Sequence, residues 1–197
     1  MNMAKDNSFP CLRCMSLSEW FAKASNLIMT LEKRALQVLI FFITGIFMLN
    51  VPLQILKMPI FWATEVSVNL MAMVGALGSS YLIGKGLHPS VTLINDIVST
   101  RVSEIVSVLG NCMTVVFGAA ILAISFMWFD PLGVIAYIND MSSYAIETGN
   151  FMYKQKLSTM DFHIVWFWAV WPLSGFTILV HGINRTIISL SKTKVGS

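Results

Sequence analysis

Three features of this 197-residue chain have residue types that do chemistry in proteins: a carboxylate at the head of an apolar run, three histidines, and a Cys-x-x-Cys pair. Glu65 stands three residues after Trp62 and just before a long uncharged stretch. Near a helix N-terminus a carboxylate is favoured by free N–H groups and the helix dipole. The other role open to it is a hydrogen bond or ion pair to a partner protein. A proton relay through a membrane needs depth, which Glu65 lacks at the edge of its span. His88, His163 and His181 raise the question of haem, which needs two histidines at similar depth on facing helices. His163 and His181 are separated by about 27 Å along one helix, so they cannot share a haem. His88 and His181 fall on the same side, but both are interfacial. No cofactor is therefore expected. Cys11 and Cys14 form half of a zinc or redox motif with no second Cys/His pair to complete it. With Cys112 they are expected to be reduced, structurally idle thiols. There is no nucleotide-binding loop, HExxH or nucleophile elbow, so no enzyme is expected.

The elements that must position these residues are membrane spans. The chain is 56% hydrophobic and only 12% charged, with a mean hydropathy of +0.72. Its net charge of +3 is no sign of nucleic-acid binding, because the basic residues sit at the ends of apolar runs. Four such runs, about 35–56, 62–84, 105–129 and 162–184, each match a hydrocarbon core of about 30 Å. Before them, 1–34 is an N-terminal segment with an amphipathic helix over 16–34. Ser16 and Glu19 have capping-box spacing there, and Leu17, Trp20, Phe21, Ala24, Leu27, Ile28 and Leu31 share one face. No cleavable signal peptide is expected, since the first apolar run is too long and too far from the start. Pro172 should bend the fourth span by freeing the Trp168 carbonyl. Between the third and fourth spans lies a loop, 130–161. Val134, Ile138, Met141 and Ala145 predict one short helix near 132–147 within it. A tail, 189–197, ends the chain. The fold expected is an all-α integral membrane protein with four transmembrane helices and an N-terminal interfacial helix.

Ten of the thirteen Lys and Arg residues fall on the side of the termini. The positive-inside rule then places both termini in the cytoplasm and the 130–161 loop outside. Gln37, Asn50, Asn69, Asn111 and Thr114 are uncharged and suit hydrogen bonds between helices. Inverted repeats, broken helices and deeply buried ionisable groups mark a self-sufficient secondary transporter, and none is evident. A small multidrug exporter would carry a carboxylate in its first span, where Ala35–Leu56 has none. In the second span Ala72, Ala76 and Ser80 repeat every four residues beside Gly75 and Ser79. Small residues at that spacing let another helix approach closely in lipid. In the outward loop Tyr137, Tyr144 and Tyr153 offer contact area at low entropy cost. Lys154 and Lys156 there can pair with carboxylates on a partner.

Trp62, Glu65, Gly75-Ala76, Lys85, Gly86 and His88, in this order and spacing, resemble the second helix of a known family. It is the small membrane subunit, of DctQ type, of tripartite ATP-independent periplasmic (TRAP) transporters. The four-span plan extends the resemblance over roughly 30–188. The sequence departs from the family pattern where Pro89 and Ser90 follow His88, in keeping only Lys57 ahead of Trp62, and in its long last loop. The resemblance implies a multi-pass protein of the bacterial inner membrane, paired as a heterodimer with a large M-type membrane subunit. That subunit would move substrate by an elevator-like, Na⁺-coupled mechanism. A periplasmic binding protein would deliver an organic anion such as sialic acid or a dicarboxylate. This chain would then be a scaffold. Trp62, Glu65, Ala72, Gly75, Ala76, Ser79, Lys85 and His88 would face the large subunit, and Tyr137, Tyr144, Tyr153, Lys154 and Lys156 the binding protein. The readings from other classes are a membrane anchor of a redox enzyme and an orphan tetraspan interaction protein.

Overall fold

The computed structural model describes residues 17–86 and 100–195. Seven helices account for most of them: α1 (Leu17–Ile55), α2 (Phe61–Lys85), α3 (Thr100–Phe129), α4 (Pro131–Ala136), α5 (Met141–Thr148), α6 (Val165–Trp168) and α7 (Val170–Val195). Four stretches are long and apolar enough to cross a membrane: Glu19–Ile55, Phe61–Lys85, Val102–Ala136 and Val165–Ser191. In lipid the backbone must satisfy its own hydrogen bonds, which is why these runs are helical. The loop end of the bundle holds the α1–α2 turn, α4, α5 and α6. The other end carries the N-terminal arm of α1.

A turn of a few residues makes α1 and α2 antiparallel neighbours. Lys57 turns the backbone with a φ of 59°. The Asn50 side-chain oxygen accepts the Ile60 N–H at 3.0 Å and so fixes the start of α2. The centre of the bundle is α7, which packs against α1, α2 and α3. Its approach to α3 is close because glycines face backbone. A Cβ added to Gly118 would lie 2.9 Å from the Leu179 nitrogen, and one added to Gly175 would lie 2.9 Å from the Leu122 nitrogen. Between α2 and α7 the Ser80 and Thr177 hydroxyls hydrogen-bond at 2.7 Å. Ala76, Leu77 and Val170 form a small buried core, with Leu36, Leu39 and Met73 packed around it. The large apolar side chains mostly point outward, as expected of a protein solvated by lipid.

The structure departs from the sequence expectations in four places. The interfacial helix expected over 16–34 and the first span are one continuous helix of 39 residues. Its length, about 58 Å, exceeds the hydrocarbon core. The arm's buried edge is polar: Ser25 and Glu32 turn inward, while Trp20, Leu27 and Leu31 are exposed. The single helix expected over 132–147 is two. Asp130 caps α4 through the Gly133 N–H at 3.1 Å, and Asp140 caps α5 through the Ser142 and Ser143 N–H groups, each at 3.1 Å. Two caps ten residues apart start two helices, not one. The bend expected at Pro172 is a break at Ala169 between α6 and α7. Finally, α7 continues to Val195 and takes in most of the expected tail.

Candidate partner interface

The helix α2 presents its small residues to an open groove. Ala72, Gly75, Ala76 and Ser79 form one wall, Phe117 and Ile121 of α3 the other, and Trp171, Ser174 and Ile178 of α7 the floor, enclosing about 370 Å³. Ala72, Gly75 and Ser79 are exposed, and only Ala76 is buried. A Cβ on Gly75 would meet nothing within 4 Å. The Ser79 hydroxyl donates to its own helix, to the Gly75 carbonyl at 2.8 Å, so the wall shows lipid little unmet polarity. A cleft of this kind, with one wall of residues without bulk, suits a helix from outside the chain.

At the loop end of the groove, Glu65 ties the loop to α2. Its carboxylate accepts the Ser158 N–H at 2.8 Å, the Thr159 N–H at 3.0 Å and the Thr159 hydroxyl at 2.6 Å. Of the two roles the sequence left open, a bond to a partner and an interaction with the helix start, the geometry adds a third, a pin within the chain. Trp62 is exposed one turn away. The three loop tyrosines form a cluster. Tyr144, 1% exposed, stacks near Tyr137 and Tyr153 with ring centroids 6.0 and 6.2 Å away. Its hydroxyl donates to Asp130 at 3.1 Å, the Tyr137 hydroxyl donates to Glu147 at 2.6 Å, and the Tyr153 hydroxyl donates to the Phe129 carbonyl. Burial and the bond to Asp130 push the Tyr144 hydroxyl pKa up. Tyr144 therefore supports the loop from within and offers no contact surface, contrary to the reading of the sequence. The exposed Lys154 donates to the Ser142 hydroxyl at 2.7 Å, and Lys156 pairs with Asp161.

At the arm end the structure assembles residues that the sequence left unconnected. Ser25 and His181 are fully buried, and Glu32 is 4% exposed. The Ser25 hydroxyl lies 2.8 Å from His181 Nδ1, and Glu32 Oε2 lies 3.3 Å from His181 Nε2. A neutral imidazole protonated at Nε2 satisfies both contacts, donating to Glu32 and accepting from Ser25. The residue types are those of a hydrolytic triad, yet the hydroxyl has no access to substrate. Gly84 closes the space: a Cβ there would lie 2.8 Å from Met29 Cγ and 3.1 Å from His181 Cε1. The cluster therefore acts as a polar tie between the α1 arm and α7. Arg185, one turn along α7, donates from Nε to the Gly84 carbonyl at 3.0 Å and satisfies the end of α2. Lys85 is exposed beside the Tyr81 ring, 5.7 Å from its centroid. His88 lies outside the described residues, as do Ser16, Cys11 and Cys14. Glu32 gave no sequence signal, because one carboxylate among Lys33 and Arg34 reads as surface charge.

Among the described residues no group of three or more His, Cys, Asp and Glu side chains could hold a metal ion. What the fold and its groove define is a polytopic membrane subunit with one helix face open to a partner. Residues 38–192 match the family model of tripartite ATP-independent periplasmic transporters, DctQ component. The chain belongs to that family, and is thus the small membrane component of a TRAP transporter. No curated protein and no solved structure matches it.

Proposed function

We propose that this chain is the fixed, non-conducting scaffold of a TRAP transporter in the bacterial inner membrane, with both termini cytoplasmic. Its partner is the large membrane subunit, which performs Na⁺-coupled uptake of an organic anion delivered by a periplasmic binding protein. The observation that carries this reading is the contrast among glycines. Gly118 and Gly175 meet backbone inside the chain, whereas Gly75 lies on the small-residue wall of an unfilled groove. In lipid such a face gains little from remaining bare, and close helix contact is the means by which it is stabilised. The exposed outward surface near Tyr137, Lys154 and Lys156 then faces the binding protein.

Cysteine crosslinking in membranes tests the groove. Ala72→Cys and Ser79→Cys should each crosslink to a helix of the co-expressed large subunit, while Ile124→Cys on the outward face of α3 should not. Equal crosslinking at all three positions, or at Ile124 alone, would refute the assignment.

A further inference from the structure

Two hollows lie at the loop end of α3 beside the partner groove proposed above, and the second shares Ile121 and Trp171 with it. The first encloses about 400 Å³, and Trp128, Thr148, Gly149, Asn150, Gln155 and Trp168 are among the residues that line it. The second encloses about 220 Å³ between α3 and α7, walled by Ile121, Ile124 and Trp171 with the same Trp128 and Trp168. The two tryptophan rings, with centroids 5.5 Å apart, line both hollows, so the more polar one adjoins the apolar one. Interfacial tryptophans mark the level where hydrocarbon gives way to headgroups. The apolar hollow descends from that level by about 10 Å, the distance along α3 from Trp128 to Ile121. Ile124, on its wall, is 61% exposed.

We propose that the two hollows form a binding site for one zwitterionic phospholipid of the loop-side leaflet. An acyl chain lies in the apolar hollow, the headgroup in the polar one, and the tryptophan pair at the ester level between them. Charge decides the headgroup. No ionisable side chain lines either hollow. The cations nearest in sequence, Lys154 and Lys156, are held by Ser142 and Asp161. A headgroup without net charge suits this lining, and an anionic one finds no counter-charge. Asn150 is committed to the wall: its amide donates to the Trp128 carbonyl at 2.7 Å and accepts the Met152 N–H at 3.1 Å. The Gln155 amide and the two indole N–H groups have no such bond among the described residues, which leaves donors for phosphate and ester oxygens. Tryptophan suits this place because its ring is apolar and its N–H is not.

Native mass spectrometry of the full chain in detergent micelles tests the site, with phosphatidylethanolamine or phosphatidylglycerol added as the probe. The wild type should retain one phosphatidylethanolamine per chain, at higher occupancy than phosphatidylglycerol. Ile124→Trp fills the apolar hollow from an exposed position and should weaken retention about tenfold, a change of about 1.4 kcal/mol. Gln155→Ala, which lies in an exposed loop and leaves the helices intact, should narrow the preference between the two lipids. Equal retention by wild type and Ile124→Trp would overturn the site, and equal occupancy by both lipids would overturn the headgroup assignment. Loss of the lipid on assembly with the large subunit would also overturn the proposal, because protein would then fill the hollow.

Discussion

Gly75 and Gly118 separate packing between chains from packing within this one. Gly75→Leu places four carbons where a Cβ meets nothing within 4 Å. The isolated chain should therefore keep its thermal midpoint or gain slightly, since leaving glycine in a helix is worth up to about 1 kcal/mol. In the complex the same side chain occupies space meant for a partner helix. Overpacking of that kind costs about 1–3 kcal/mol, which weakens association roughly 5- to 150-fold. Gly118→Ala should do the reverse. Its Cβ would sit 2.9 Å from the Leu179 nitrogen, about 0.5 Å inside ordinary contact, and backbone cannot move aside alone. The overpacking cost of about 1–3 kcal/mol outweighs the propensity gain, so the midpoint of the isolated chain should fall. The assay is thermal unfolding of each purified variant beside its yield in pull-down with the large subunit. Gly75→Leu that unfolds early, or that binds as tightly as wild type, would refute the reasoning.

Reporter fusions at Ser197 and within 140–150 should report opposite sides of the membrane; the same side would rule out the orientation proposed from the basic residues. Replacing 134–156 with a short Gly/Ser linker should abolish uptake while the two membrane subunits still co-purify, and retained uptake would remove docking from the loop's roles. The Asp140 carboxyl is held below its ordinary value of 3.8 by the Ser143 hydroxyl and the neighbouring N–H groups, and Asp161 is held below 3.8 by Lys156. Both groups favour the folded loop above the ordinary carboxylate range, and that stability should be lost as pH falls through their lowered values. Protection factors across 140–163, taken relative to intrinsic exchange at each pH, should therefore fall on acidification from about pH 6 to about pH 3. Protection that holds constant would show that neither carboxylate contributes.

Spans were the most legible part of the sequence, because about 20 uncharged residues admit one solution in lipid. The small-residue face of α2 was legible too, from the spacing of Ala72, Gly75, Ala76 and Ser79, although the spacing does not say whether that face is filled from within or without. The amphipathic arm was legible, but its fusion with the first span and the partners of its polar edge were not. Beside a bilayer the solvent is apolar, so the buried edge is the one with hydrogen bonds to make, Ser25 and Glu32 to His181. The pairing of Glu65 with Ser158 and Thr159 spans more than 90 residues, and no local pattern encodes it. The tyrosines show the same limit: identical residue types are a surface in one geometry and an internal prop in another.

The place of α7 at the end of the chain bears on how the protein is made. Of the four spans, α3 has α7 as its chief neighbour, and α2 packs on α1 and α7. When a ribosome has released residues as far as α3, only the hairpin of α1 and α2 can have closed. The third span must wait in the bilayer with Gly118 and its other contact positions facing lipid. Of the four spans, the helix that gathers the other three leaves the ribosome last, and with it His181 and Arg185, which tie down the arm and the end of α2. Translation that stops before Val165 would thus yield a nascent protein that spans the membrane but has no bundle, with an unpaired α3 for membrane proteases to recognise.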